Sequence, residues 1–234
     1  MIEGSIIKQH YFKEKKMKGF VLLSGGIDST TVLGLALTEC QEVITASMYY
    51  GQKHEVELES AKLVADWYNV NHVVFELPPI FSDSALTEEE DNIPEETYAE
   101  QGYGPVATVV PFRNANFISV ATTLAITNNC DVIYVGMHAD DSLNWAYPDC
   151  SPEFIGAMAN AVYIGSYNQV RLKAPFVFMQ KKEIIKLGTE LKAPYHLTHS
   201  CYKGTKPACG LCATCQDRKQ AFIDNSLVDP IAYQ

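Results

Sequence analysis

The sequence lacks any long apolar run. No stretch of its 234 residues approaches the roughly 18 consecutive apolar residues that a membrane-spanning helix needs. Residues 1–18 are polar and lysine-rich, without the apolar core of a secretory signal. We therefore expect a cytoplasmic chain with no membrane partner. In a reducing compartment, the seven cysteines are not expected to form a disulfide framework.

Basic residues are also scarce. The chain has 18 Lys and Arg against 28 Asp and Glu, a net charge of −10. A broad nucleic-acid surface needs the opposite balance, so we expect no nucleic-acid partner. Eight of the acidic residues fall within residues 82–104, which contain no basic residue. We expect this stretch to be a solvated excursion, with a lid over the site as the alternative.

From residue 17 onward, apolar patterns typical of strands and helices alternate. Predicted strands cover 19–23, 42–50, 71–77, 131–137 and 170–174. Predicted helices cover 29–37, 54–68, 115–128, 151–164, 181–191 and 216–225. Repeated β–α units with continuously apolar strands predict an α/β fold with a doubly wound, mostly parallel sheet.

This pattern divides the chain into three parts. We predict an N-terminal extension at 1–16, a nucleotide-binding α/β domain at 17–195 and a small C-terminal zinc-binding segment at 196–234. Ligands in such sheets bind beyond the carboxyl ends of the strands. The loops expected to meet there are 24–28, 51–54, 111–114 and 138–150.

The first chemical motif is the hexapeptide Ser24–Ser29, SGGIDS, directly after a predicted strand and before a helix. Its two glycines permit a tight turn that presents backbone N–H groups, and the helix that follows adds its positive end. The loop lacks the Gly-Lys-Ser/Thr of a Walker motif. It resembles the PP-loop of the ATP pyrophosphatase superfamily, which grips the pyrophosphate of ATP.

The second motif is a cysteine cluster near the C-terminus. Its members are Cys201, Cys209, Cys212 and Cys215. Four thiolates suit a tetrahedral zinc ion with no open position, so we expect a structural metal. An iron–sulfur cluster is the competing use of four cysteines.

Other polar residues fall in the predicted loops. Arg113 and Asn114 interrupt an apolar stretch, and a guanidinium suits a carboxylate or a phosphate. Lys181 or its neighbour Lys182 can neutralise polyphosphate charge. Carboxylates for Mg²⁺ or for a guanine-like N–H edge are offered by Asp140, Asp141 and Asp149. Cys150 is either a nucleophile or a buried small residue, and His54 and His138 are candidate proton carriers.

The two motifs and the segments between them resemble the QueC family of PP-loop enzymes, the 7-cyano-7-deazaguanine synthases. The similarity spans nearly all of residues 17–234, and its order and spacing make it specific. Its segments are LSGGIDSTT (23–31), YGQKH (50–54), VPFRNANF (110–117), YPDCSPEFI (147–155), KKEI (181–184), SCYKG (200–204) and CGLCATC (209–215). Two departures are visible, since His199 stands where the family usually has Trp, and Ile27 fills the loop's variable position.

The resemblance implies the adenine nucleotide alpha hydrolase-like fold and an ATP-dependent ligase. Its substrates would be 7-carboxy-7-deazaguanine and ammonia, and its product the nitrile 7-cyano-7-deazaguanine of queuosine biosynthesis. ATP would activate first the acid and then the amide by adenylation. The resemblance also suggests a homodimer.

It further assigns residues. The catalytic ones would be Asp28, Lys181 and Arg113, and the substrate-binding ones Arg113, Asn114 and Asp149. Mg²⁺ would accompany ATP, and zinc would sit on the four cysteines. The ATP site would comprise Leu23, Ser24, Gly25, Gly26, Ile27, Asp28, Ser29, Thr30, Thr31, Val32 and Leu33.

Two alternatives remain at the level of sequence. One is another PP-loop, AMP-forming ligase of nucleobase or tRNA modification. The other is a non-catalytic zinc-ribbon binding module, for which residues 196–219 carry a modest basic excess. Its basic residues are Lys203, Lys206, Arg218 and Lys219.

Overall fold

The computed structural model describes residues 17–52, 56–82, 84–87, 93–97 and 100–234. The predicted N-terminal extension, residues 1–16, and the candidate proton carrier His54 lie outside the described residues. Within the described part of the chain, no helix has the length and apolar character to cross a membrane.

Five parallel strands form one sheet at the centre of the fold. They are β1 (Lys18–Leu22), β2 (Glu42–Tyr49), β3 (Asn71–Glu76), β4 (Val132–Tyr134) and β5 (Arg171–Lys173). Their spatial order is β3-β2-β1-β4-β5, and every pairing is parallel. The strand order reverses direction between β1 and β4, where parallel sheets open a crevice for ligands. The predicted doubly wound parallel sheet is confirmed.

Helices cover both faces of this sheet. They are α1 (Ile27–Glu39), α2 (Val56–Trp67), α3 (Arg113–Thr127), α4 (Pro152–Gly165), α5 (Lys181–Glu190) and α6 (Ala213–Asp224). Helices α1, α2, α5 and α6 share one buried core with Val21 and Val43 of the sheet. Helices α3 and α4 pack on the opposite face, against Phe20 and Ile133. This alternation explains why the strands read as continuous apolar runs.

The predicted elements all occur, with shifted ends. Strand β4 stops at Tyr134, three residues before the predicted end, because its pairing with β5 ends at Tyr134 and Lys173. Helix α6 begins three residues earlier than predicted, with Cys212 as its N-cap. Cysteine is not a typical capping residue, so the sequence pattern gave no reason to start the helix there.

The acidic stretch 82–104 is not merely a solvated excursion. Among its described residues, Ala85, Leu86 and Ile93 are buried and pack in one cluster with the four cysteines. Glu95 forms an ion pair with Lys203 at 2.7 Å. The expectation of a fully solvated segment is therefore wrong for these residues. Its apolar side chains lie between acidic ones, so composition alone concealed them.

The C-terminal segment is anchored to the sheet domain by a buried arginine. Arg218, 1% exposed, makes two hydrogen bonds to Asp229, at 2.7 and 2.8 Å. Its other donors reach the Thr198 hydroxyl at 2.8 Å and the Tyr195 carbonyl at 3.2 Å. A buried charge needs such complete pairing to be tolerated.

Two helical glycines offer a matched test of packing. A Cβ at Gly188 of α5 would overlap the hydroxyl of Tyr195. That hydroxyl is fixed by a hydrogen bond to Thr31 at 2.8 Å. A Cβ at Gly156 of α4 would meet nothing within 4 Å. We expect Gly188→Ala to destabilise the fold by about 1–3 kcal/mol through overpacking. Gly156→Ala should stabilise it by about 0.5–1 kcal/mol. Urea unfolding measures both, and a Gly188→Ala midpoint at or above that of Gly156→Ala would contradict the packing described.

Candidate active site

The hexapeptide loop joins β1 to α1 at the carboxyl edge of the sheet. Gly25 adopts φ +88°, and a Cβ there would overlap the backbone of Glu57 and Ala61 in α2. Gly26 is the N-cap of α1 and offers no side-chain cap to the first helical turn. The amides of that turn are therefore available to an anion, with the positive end of the helix behind them.

Two serines complete the loop. The Ser24 and Ser29 hydroxyls lie 3.0 Å apart, and Ser29 also accepts the backbone N–H of Ser24 at 3.1 Å. The side chain of Ser24 is exposed, while that of Ser29 is buried. The predicted ATP site also includes Thr30, Thr31, Val32 and Leu33, whose side chains are fully buried, and their contact with ATP stays a prediction.

A half-buried ion pair stands beside the loop. Lys181, at the start of α5, places its Nζ 2.6 Å from Oδ2 of Asp28. Burial alone would raise the pKa of Asp28, but Lys181 and His138 reverse this and lower it. Burial would lower the pKa of Lys181, but Asp28 and Asp141 raise it. Both groups therefore stay charged at neutral pH, and Lys181 rather than the exposed Lys182 lies at the site.

His138 sits among carboxylates next to this pair. It is 2% exposed, with its Nε2 atom 3.3 Å from Asp141 and 3.8 Å from Asp28. A fourth carboxyl comes from Asp217 of α6, whose pKa is raised to about 6 by burial and by nearby Asp140 and Asp141, against the pull of Lys181. Acidic groups from α1, from α6 and from the loop after β4 thus face one lysine.

These groups open into one cavity of about 250 Å³. Its wall draws on every loop that was expected at this edge, and on the cysteine segment as well. Representative residues of the wall are Ser24, Gln52, Arg113, Asp141, Lys181 and Thr214. The predicted convergence of the loops is therefore confirmed for the described residues.

Arg113 is the cation in a second region of this cavity. It is the first residue of α3 and donates to the Tyr50 hydroxyl at 3.1 Å. Its guanidinium carbon lies 5.7 Å from the ring centroids of Tyr50 and Phe117. Burial opposes its charge, but Tyr50 and Tyr202 raise its pKa, so it stays protonated. Its Nε is buried without a hydrogen-bond partner among the described residues.

Asn114 and Asp149 form a support behind Arg113. The backbone N–H of Asn114 donates to Oδ2 of Asp149 at 3.1 Å, which caps the first turn of α3. The Asn114 side chain lies 3.3 Å from Sγ of Cys150. Burial and the carboxylates of Asp141 and Asp149 raise the pKa of Cys150 well above its usual range. Cys150 is therefore a buried thiol, and nothing here activates it as a nucleophile.

Sequence analysis missed two carboxyls of the cavity wall, Glu57 and Asp217. Glu57 precedes the buried Ala61 and Val64 on one face of α2, and Asp217 falls between Ala213 and Ala221 on one face of α6. An acidic residue inside an apolar helical stripe was the available signal. Burial raises the pKa of Glu57 from 4.5 to about 8, against the attraction of Arg113.

The four cysteines lie together, as predicted. Their sulfur atoms are all within 4.8 Å of one another and all four residues are buried. Thiolates around one tetrahedral zinc ion lie about 3.8 Å apart, so the donor set fits a single ion. Backbone N–H groups of Cys209, Leu211 and Cys212 point at the sulfurs from 3.4 Å. Such donors orient and stabilise metal-bound thiolates.

The cysteine segment also builds part of the cavity. Ser200, Tyr202, Thr214 and Asp217 lie in its wall. The backbone N–H of His199 donates to the carbonyl of Gly25 at 2.9 Å. The segment therefore touches the anion loop directly.

Removing one sulfur should release the metal. We expect Cys212→Ser to lose most of its bound ion during dialysis against a chelator, because three thiolates bind a tetrahedral ion far more weakly than four. Elemental analysis of the purified protein measures metal per chain. Cys40→Ala, at a buried cysteine outside the cluster, should keep the wild-type content, and equal retention by both variants would contradict the four-thiolate site.

Replacing the buried carboxyl of Glu57 should stabilise the fold in a pH-dependent way. The unfolded chain ionises this group near its ordinary 4.5 and the folded chain only near 8, so wild-type stability falls as pH rises between these values. Glu57→Gln removes that cost, by an amount on the order of 2–4 kcal/mol at about pH 9 and less at about pH 6.

Urea unfolding across this range is the measurement, with Glu59→Gln on the exposed face of the same helix as control. A Glu57→Gln difference that does not grow with pH would contradict the buried state of the carboxyl.

The comparisons with known proteins agree with this geometry. A family profile described as queuosine biosynthesis protein QueC matches residues 18–226. The 7-cyano-7-deazaguanine synthase of Caldicellulosiruptor saccharolyticus is 41% identical over 221 residues, 93% of this chain and 96% of that protein. Those of Persephonella marina and Archaeoglobus fulgidus are 41% and 40% identical, covering 90% and 92% of this chain and 94% and 90% of theirs. The chain therefore belongs to the QueC family of queuosine biosynthesis proteins.

Proposed function

We propose that this protein is an ATP-dependent carbon–nitrogen ligase that converts 7-carboxy-7-deazaguanine and ammonia into 7-cyano-7-deazaguanine. The supporting observation is that one cavity holds both an anion loop with its Asp28–Lys181 pair and a separate half-buried guanidinium, Arg113. The first suits the phosphates of ATP, and the second suits the carboxylate of the acid. The named relatives support the same substrate.

The chemistry requires activation because a carboxylate has a poor leaving group. A carboxylate oxygen attacks the α-phosphorus of ATP, and pyrophosphate leaves. Ammonia then attacks the carbonyl carbon, loses a proton, and expels AMP to leave the amide. The amide oxygen attacks a second ATP in the same way, and loss of AMP together with the remaining N–H protons yields the nitrile.

Each residue has a role in this scheme. Ser24, Ser29 and the first amides of α1 hold the polyphosphate, and Lys181 neutralises its charge. Arg113 orients the carboxylate oxygen towards the phosphorus, with Asn114 beside it and Asp149 holding Asn114 in place. A direct contact between Asp149 and the substrate stays a prediction.

Two metal ions belong to the proposal. Oδ1 of Asp28 is buried without a partner among the described residues, and Asp141 is close by, so these oxygens suit Mg²⁺, which would offset phosphate charge. On the four cysteines we propose structural zinc. The close sulfur spacing favours one ion over an iron–sulfur cluster, whose iron atoms hold their thiolates farther apart.

The alternative of a nucleic-acid binding module has lost its support. The Lys203 and Lys206 ammonium groups pair with Glu95 at 2.7 Å and Glu59 at 2.5 Å. Arg218 is buried against Asp229, and Lys219 bonds the carbonyl of Gly210 at 2.6 Å. Three of the four basic residues of this segment are therefore paired with carboxylates of the chain, and the fourth is engaged by a backbone carbonyl.

We also propose a cytoplasmic homodimer that takes up free ammonia. Among the described residues, the outer edge of β3 has no neighbouring strand, and its Val73 and Val74 are exposed. An unpaired apolar sheet edge of this kind can pair with the same strand of a second copy of the chain.

The test is incubation of the protein with ATP, an ammonium salt and 7-carboxy-7-deazaguanine, with products resolved by chromatography and mass. We expect AMP, pyrophosphate and the nitrile, with two ATP consumed for each nitrile formed. Absence of both AMP and nitrile would refute the proposal.

The matched variants are Asp28→Asn, which breaks the pair with Lys181, and Asp224→Asn at an exposed site on α6. The first should lower kcat by about 100-fold or more, because it removes the anionic ligand proposed for Mg²⁺ and the carboxylate that positions Lys181 at the phosphates. It should keep its zinc content, and Asp224→Asn should match the wild type in both measurements.

A further inference from the structure

The position of Glu57 on α2 directs its side chain towards the cavity. The buried residues of this helix include Ser60, Ala61 and Val64, and Glu57 lies three, four and seven residues before them, on the same face. Gly25 packs directly against the backbone of Glu57 and Ala61. Helix α2 therefore cannot shift without displacing the anion loop, and the carboxyl is held in the cavity wall.

The half-buried carboxyl of Glu57 has no hydrogen-bond partner among the described residues. The Arg113 guanidinium attracts it, but the Arg113 donor that is engaged bonds Tyr50. A carboxyl that lines a cavity without a protein partner is available to a ligand, and such groups concentrate at functional sites.

Arg113 and Glu57 together present hydrogen-bond donors and acceptors to a ligand in the cavity. Arg113 offers donors, including a buried Nε without a partner among the described residues, and Glu57 in the same cavity wall offers two acceptor oxygens. Aromatic side chains of Tyr50 and Phe117 flank the guanidinium at 5.7 Å. A flat ring with adjacent acceptor and donor groups on one edge would match this wall.

The substrate of the proposed function has such an edge. Along one side of 7-carboxy-7-deazaguanine, the 7-carboxylate and the O6 carbonyl are acceptors, and the N1–H and the 2-amino group that follow are donors. We propose that Glu57 is the specificity-determining residue that accepts hydrogen bonds from N1–H and the 2-amino group, while Arg113 binds the carboxylate and O6. This inference rests on the proposed function and adds the group that recognises the guanine edge.

The two N–H donors of the ring favour the ionised form of Glu57 and lower its pKa when the substrate binds. A carboxylate that accepts two parallel N–H donors discriminates strongly against a ring that lacks one of them. The missing donor leaves an oxygen buried without a partner, and such sites reject the defective ligand by large factors. Glutamine at this position keeps one acceptor and turns an amino group towards the ligand. It would therefore remove the preference for the 2-amino group.

The experiment compares 7-carboxy-7-deazaguanine with its analogue without the 2-amino group, 7-carboxy-7-deazahypoxanthine, as substrates of the metal-loaded protein. We expect the wild type to prefer the guanine compound by about 100-fold in kcat/KM. In Glu57→Gln that preference should fall to about threefold or less, with KM for the guanine acid raised by about 10–100-fold and KM for ATP little changed. Glu59→Gln should behave as the wild type.

Three outcomes would overturn the inference. If the wild type is active and Glu57→Gln keeps its preference for the 2-amino compound, the inference fails alone and the proposed function stands. If Glu57→Gln raises KM for the guanine acid and KM for ATP equally, the residue supports the anion loop and does not recognise the guanine edge of the substrate. If the wild type forms neither AMP nor nitrile from the acid, both proposals fail together.

Discussion

The contacts made by the backbone of Gly25 hold the site together. On one side, the absence of a side chain lets α2 lie directly against the loop, which fixes the place of Glu57. On the other side, the carbonyl of Gly25 accepts the N–H of His199 at 2.9 Å, which ties the cysteine segment to the loop. A residue in left-handed backbone conformation with no Cβ therefore sets the distance between three parts of the cavity wall.

Two half-buried pairs of acidic and basic side chains line this cavity, and they differ in how completely each is paired. Asp28 and Lys181 are in contact at 2.6 Å and each raises the preference of the other for its ionised form. Glu57 and Arg113 attract one another, yet burial still dominates the pKa of Glu57. The first pair is arranged before any ligand arrives, which is how electrostatic preorganisation works. The second is incomplete, and a ligand with matching donors and acceptors would complete it.

Much of this arrangement was visible in the sequence. Apolar strands, the glycine pair after β1 and the cysteine spacing each reflect local physics, so they predicted the sheet, the anion loop and the metal-binding cluster. Glu57 and Asp217 were not predicted, because their importance arises from which helix faces meet, and one sequence does not record that. Buried Ala85 and Leu86 were hidden for a related reason, since acidic neighbours masked a short apolar cluster that packs only in the tertiary structure.

The buried pairing of Arg218 with Asp229 bears on when the protein becomes competent during its synthesis. Thr214 and Asp217 of the cavity wall lie on the same helix as Arg218, and Asp229, which holds that helix, follows every strand of the sheet in the sequence. The sheet can therefore form on the ribosome before the residues that complete the cavity have been synthesised. A nascent chain that has not yet reached Asp229 would present the anion loop without a firmly held last wall.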